Sequence, residues 1–203
     1  MNRFTIDSNR FLSKDVRAFY NCDYIGMKNP GNPTFINALK NDFGKNYVSA
    51  CGQIFRLDEA CQKLDNILSE DLPQIKQELG VSDLTVCVIP RSKAESSYPS
   101  NKLMMKQTIR KVVNRLGMRD GADYVYRLSD TPTTHYEGAD GIYPGITKDS
   151  CRLSSEIQGK DILLIDDIYT KTVNIDEDCL QALLDAGARS VAFYSIGKTV
   201  RRF

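Results

Sequence analysis

The stretch Lys160-Asp-Ile-Leu-Leu-Ile-Asp-Asp-Ile-Tyr-Thr-Lys-Thr-Val-Asn174 constrains this chain more than any other. Residues 162–165 are a short, unbroken apolar run, the strongest buried-strand signal in the sequence. Strands buried on both faces belong to parallel sheets covered by helices. The run ends by delivering two adjacent carboxylates, Asp166 and Asp167, to its exposed end.

The pattern around it alternates strand and helix, which predicts an α/β fold. Residues 84–89 read as a strand stopped by Pro90. Residues 102–116 read as an amphipathic helix with Met105, Ile109, Val112 and Leu116 inward and Gly117 at its end. A strand is expected over 124–128, a weaker helix over 147–157, a helix over 175–186 ending at Gly187, and a last strand over 191–196. Upstream, Leu57, Ala60, Cys61, Leu64, Ile67 and Leu68 form one helical stripe. Leu72, Ile75 and Leu79 continue it past Pro73, where a kink or restart is expected, toward a cap at Gly80. Residues 1–56 are the least legible. They hold turn chemistry at Asn29-Pro-Gly-Asn-Pro33, a short helix over 34–42 ending at Gly44, and a strand over 47–51. The expected division is a cap or hood over 1–56 and a core over 57–203. Ligands in such sheets sit at the carboxyl ends of the strands, which points to residues 90–100, 129–145 and 166–174.

A length of 203 residues suits one such domain, with or without a small appended lobe, and can bury a core without disulfides or metal. A net charge of +1 provides no whole-molecule argument for nucleic acid or membrane. No apolar run approaches a membrane span, and Met1-Asn-Arg-Phe-Thr5 lacks the apolar stretch of a secretion signal. The six cysteines stand singly, with no pair at zinc-ligand spacing, and Cys61, Cys87 and Cys179 lie inside apolar patterns. This reads as a reducing, cytoplasmic compartment. A single histidine, His135, excludes chemistry built on several imidazoles.

Twin carboxylates at a strand end can accept hydrogen bonds from a vicinal diol. The hydroxyl-rich loop after them, running into a helix N-terminus, can hold a phosphate. A ribose 5-phosphate has that geometry. With four apolar residues, two acids, Ile168 and Thr170, followed by the 180–184 helix, Ala186-Gly-Ala188 and a strand at Val191, the chain resembles the type I phosphoribosyltransferases. Tyr126-Arg-Leu128 and Thr131-Pro-Thr133 bring it closest in look to the DNA-uptake competence (ComF-like) branch. The specific match covers about forty residues, and the alternating strand–helix order extends it loosely to about 120.

That resemblance implies a three-layer fold with a mostly parallel sheet, helices on both faces and an N-terminal hood. It implies phosphoribosyl pyrophosphate or a nucleotide as ligand, and Mg²⁺ as cofactor. Asp166 and Asp167 would hold the diol and the Mg²⁺ shell through water. Thr170, Lys171, Thr172, Val173 and Asn174 would hold the 5-phosphate. Arg91, Ser92 and Lys93 would meet the pyrophosphate, and residues 127–148, with Arg127, Thr133 and His135, would form a lid. The phosphate loop is degenerate: Lys171, Thr172 and Asn174 stand where the family has Thr, Gly and Thr. Thr172 retains a hydroxyl, Lys171 adds a charge, and Asn174 suits a helix cap. Glycine would let the backbone approach a phosphate more closely, so the departures bear on catalysis more than on fold.

Other readings of the motif are weaker. A solvated strand end leaves the flanking pattern unexplained. Receiver domains carry their acid pair after the first strand, whereas here one strand remains downstream. Gly197-Lys198-Thr199 is no Walker A loop, because Ala192 replaces the first glycine and four residues cannot form the helix that must follow. Between Arg91 and Arg119 eight bases face the single acid Glu95, with Lys102, Lys106 and Arg110 on one helix face. That face is solvated, steers pyrophosphate, or contacts a nucleic acid backbone; the acids of 56–83 offer it partners within the fold or in a homo-oligomer. Besides an enzyme, the sequence therefore admits a non-catalytic phosphoribosyl pyrophosphate or nucleotide sensor, and an accessory or effector protein in DNA handling or phage defence.

Overall fold

The strand predicted from the apolar run extends over Asp161–Tyr169, so the two aspartates lie inside it and not after it. It belongs to a computed structural model that describes residues 1–40, 47–48, 52, 54–131, 146 and 150–200. In chain order the elements are β1 (Asn2–Ile6), β2 (Val16–Tyr24), α1 (Phe35–Lys40), β3 (Tyr47–Val48), β4 (Ile54–Phe55), α2 (Leu57–Leu79), β5 (Leu84–Val88), α3 (Met104–Arg115), β6 (Arg119–Asp120), β7 (Val125–Arg127), β8 (Cys151–Leu153), β9 (Asp161–Tyr169), α4 (Ile175–Asp185) and β10 (Ser190–Thr199).

A six-stranded sheet runs in the order β1-β2-β10-β9-β5-β6. Every neighbouring pair is parallel except β1 with β2, so the sheet is mixed. β9 lies in its interior, flanked by β10 (Val191 opposite Ile162) and β5 (Val88 opposite Ile165). Side chains alternate along a strand, and this alternation divides the core in two. Leu163 and Ile165 pack with Leu64, Leu68 and Leu72 of α2, Ile109 and Val112 of α3, and Ile36 and Leu39 of α1. Ile162 and Leu164 pack with Cys179, Leu180 and Leu183 of α4 on the other face. Helices thus cover both faces, and residues 2–24 of the region expected to be a cap add two strands to the same sheet.

Two local expectations need correction. α2 runs unbroken from Leu57 to Leu79 with Pro73 inside it. An interior proline costs about 3 kcal/mol, but Leu64, Leu68, Leu72 and Ile75 are all fully buried, each worth roughly 1.5–3 kcal/mol, so packing prevails. The helix then ends as expected at Gly80, in the left-handed conformation at φ 67°. The helix expected over 147–157 is instead strand β8 followed by one 3₁₀ turn, Ser155–Ile157; residues 147–149 lie outside the described set. β8 pairs antiparallel with β7, while the Ser154 hydroxyl accepts from the Glu156 amide and fixes the turn. The strand expected over 124–128 therefore belongs to a separate two-stranded sheet. No helix among the described residues is long and apolar enough to cross a membrane.

Candidate functional site

β5 ends opposite Ile165, where the Ile89 amide makes the last bond to β9 at 3.0 Å. Pro90 has no N–H to continue the ladder. Among the described residues no strand lies beside that edge of β9 from Asp166 onward, and a cavity of about 330 Å³ opens there. Its wall includes Arg91, Ser92 and Lys93 after β5, Lys102 and Lys106 before and within α3, Arg127 at the end of β7, Thr131, Lys40 of α1, and Asp166 and Asp167. Leu39, Val88, Ile89, Leu103, Met105 and Ile175 supply its apolar part. Six basic side chains against Glu95, Asp166 and Asp167 make the lining cationic in a nearly neutral chain.

The twin carboxylates reach this cavity from opposite faces of the sheet. Asp167 turns toward α1, and its Oδ2 lies 3.1 Å from Lys40 Nζ. The negative charge of Asp167 raises the Lys40 pKa, so this amine stays protonated. Asp166 turns toward α4, where the buried Asp176 carboxyl lies beside it. Its Oδ1 also accepts from the Asp167 amide at 2.7 Å. Burial and then the charge of Asp167 push the Asp166 carboxyl up to about 7. Asp176, 1% exposed, is held well above the ordinary carboxylate range by burial and then by the charge of Asp166. Behind them Tyr169 Oη donates to Glu177 Oε1 at 3.0 Å.

The loop after β5 is braced on its neighbours. Arg91 Nη1 donates to the carbonyls of Lys40 at 2.7 Å and Lys102 at 3.3 Å, and its guanidinium lies over Tyr98. Ser92 O accepts from both the amide and the hydroxyl of Thr131, and the Lys93 amide donates to Tyr98 Oη. Arg127 is 1% exposed; its Nε donates to Arg91 O at 3.2 Å and its Nη1 to Ser150 Oγ at 3.2 Å. The start of the expected lid is therefore stitched to the expected pyrophosphate loop. Thr133 and His135 lie outside the described residues.

Residues Thr170, Lys171, Thr172, Val173 and Asn174 are absent from the cavity wall, which resumes at Ile175. Thr170 Oγ1 pairs with Thr199 Oγ1 at 2.7 Å, and Lys171 Nζ lies 3.1 Å from Asp7 Oδ2. Asn174 occupies the N-cap position of α4 but makes no side-chain cap bond, because it sits in the left-handed region at φ 58°. An N-cap side chain reaches the first turn from extended backbone; here Nδ2 turns back to Thr172 O at 3.4 Å. The loop thus places its left-handed residue at 174, where asparagine tolerates it. Asn174→Gly is expected to leave stability within about 0.5 kcal/mol, and Asn174→Val to lose about 1–2 kcal/mol, as read from urea midpoints.

The basic face of α3 is largely neutralised from within. Lys106 pairs with Glu95 at 2.6 Å and Asp123 at 2.7 Å, and Arg110 pairs with Asp120 and Asp123, both at 2.9 Å. Lys102 lines the cavity. Lys40 and Asp176 escape sequence reasoning altogether. Lys40 is one cation in the least legible region, and Asp176 reads as an ordinary first-turn acid of α4. No protein-family model matches the chain, and no curated protein matches it.

Proposed function

We propose that this chain binds phosphoribosyl pyrophosphate or a nucleotide in the β5–β9 cavity, within a fold of the phosphoribosyltransferase type, and transfers or cleaves the 5-phosphoribosyl group. The observation that carries the reading is the meeting of Asp166 and Asp167 with the basic 91–93 loop on one cationic wall. Asp166 and Asp167 would accept the ribose hydroxyls. Lys93 and Lys102 would meet the pyrophosphate, and a bound phosphate would extend past Ile175 toward Thr170 and Thr172. A nucleophile then attacks C1 as its bond to pyrophosphate oxygen breaks. The residues orient the sugar and offset the charge growing on the leaving group.

Among the described residues no group of three or more His, Cys, Asp or Glu could hold a metal ion. Two carboxylates on a cavity wall fit Mg²⁺ as an ion that keeps its waters and arrives on phosphate oxygens. When bound, it would add positive charge to the leaving pyrophosphate. A second reading, a sensor that binds without turnover, is favoured by one observation: Lys171 is engaged with Asp7 and its loop stands off the cavity.

Thermal unfolding tests binding. Phosphoribosyl pyrophosphate with Mg²⁺ at a hundred times its Kd should stabilise the protein by about 2.7 kcal/mol, whereas ribose should do nothing. Release of labelled pyrophosphate then separates enzyme from sensor. No shift with phosphoribosyl pyrophosphate or any nucleoside monophosphate would remove both.

A further inference from the structure

Among the described residues, Lys40 is the one cation of the cavity wall whose ammonium touches a twin carboxylate, at 3.1 Å from Asp167 Oδ2. We infer that it is a positioning residue, a built-in counter-cation that occupies Asp167 while the site is empty and releases it to an ion arriving with the phosphates. This deepens the proposed function and rests on its reading of the carboxylates.

The placement of Lys40 is built and not incidental. α1 is only six residues long, yet Phe35, Ile36, Ala38 and Leu39 are all buried, which holds its last residue at the cavity. The Lys40 carbonyl is clamped from the β5 side by the Arg91 guanidinium at 2.7 Å. The Lys40 side chain is 25% exposed and that of Asp167 19%, so the pair faces the cavity and can be opened without unfolding anything. An ammonium and a divalent ion compete for the same carboxylate oxygens. A lysine in contact with Asp167 therefore lowers the affinity of the empty site for a metal ion. A ligand whose phosphates bring their own ion and draw the ammonium onto their oxygens reverses the balance. The consequence is an order of binding, with ion and ligand entering together.

Mn²⁺ alone, followed by electron paramagnetic resonance, tests this in the wild type, Lys40→Met, Lys40→Arg and the Lys40→Met/Asp167→Asn double variant. Lys40→Met should bind Mn²⁺ about tenfold more tightly than the wild type. Lys40→Arg should behave as the wild type does, and the double variant should lose the gain. Lys40→Gln provides the same comparison should the methionine variant misfold. Unchanged Mn²⁺ affinity in a folded Lys40→Met or Lys40→Gln overturns the inference, as does a gain that survives loss of Asp167. Because no phosphoribosyl compound is present, tighter Mn²⁺ binding in a protein that never binds phosphoribosyl pyrophosphate upholds the competition between Lys40 and the ion for Asp167 and removes the ligand assignment. Unchanged Mn²⁺ binding in a protein that does turn it over removes only the inference.

Discussion

The metal-free protein is expected to be more stable at pH 5 than at pH 8, and Asp166→Asn should reduce that difference. A carboxyl raised to about 7 in the fold binds its proton over a range where the unfolded chain, with a pKa near 3.9, has released it. Between those values the folded state holds more protons, so stability falls as pH rises from about 4 to about 7. It is fully present below the lower value and lost above the upper one. Asp176, raised in the same direction by burial and by the charge of Asp166, is coupled to it and adds to the slope. The loss should be of order 2–4 kcal/mol. Asparagine at 166 carries no charge to desolvate and none to oppose Asp167. The variant should therefore be more stable than the wild type at pH 8 while no longer responding to phosphoribosyl pyrophosphate. Urea midpoints at pH 5, 6, 7 and 8 measure the first, and thermal shift the second. A wild type more stable at pH 8 than at pH 5 would contradict the buried Asp166–Asp176 pair. Stability gained by removing a polar group of the site is the usual cost of function in reverse.

Asp71→Ala should be the most damaging single change outside the site. Asp71 lies on the buried face of α2 at 4% exposure, and its Oδ2 accepts from Tyr194 Oη at 2.7 Å and Asn21 Nδ2 at 3.0 Å. It therefore pins α2 to β10 and β2 through the core. Hydrogen bonds to a charged acceptor contribute about 1.5–3 kcal/mol each, and the truncation also strands the buried Tyr194 hydroxyl. A loss of about 3–5 kcal/mol is expected, which for a chain of this size lowers Tm by roughly 10 °C. Tyr194→Phe removes one of the bonds and should cost less than half as much. If the two variants unfold at the same temperature, the Asn21 arm of the network contributes nothing.

How far the fold could be read in advance depended on whether a residue's environment was local. Residues 84–89 and 162–165 are β-branched and apolar runs closed by Pro90 and by the aspartates, and both appear as strands. The stripe Ile109, Val112 shows period 3.6 and lies buried in α3. Residues 151–153 form a strand in place of a weakly patterned helix because their partner is β7, more than twenty residues upstream. β2 went unread for the same reason, since its pairing with β10 joins opposite ends of the chain. Pro73 does not restart the helix, because propensity is a small local preference set against four fully buried side chains.

The order of residues along the chain was enough to determine an α/β arrangement and to single out Asp166, Asp167 and the loop after β5, because strand periodicity and adjacent charges are properties of neighbours in sequence. Only the tertiary structure decided that Asp166 faces Asp176, that Asp167 faces Lys40, and that the bases of α3 are matched by Glu95, Asp120 and Asp123. The charge state and availability of a carboxylate depend on the groups within a few ångströms of it, and here chain folding brings those groups from distant segments.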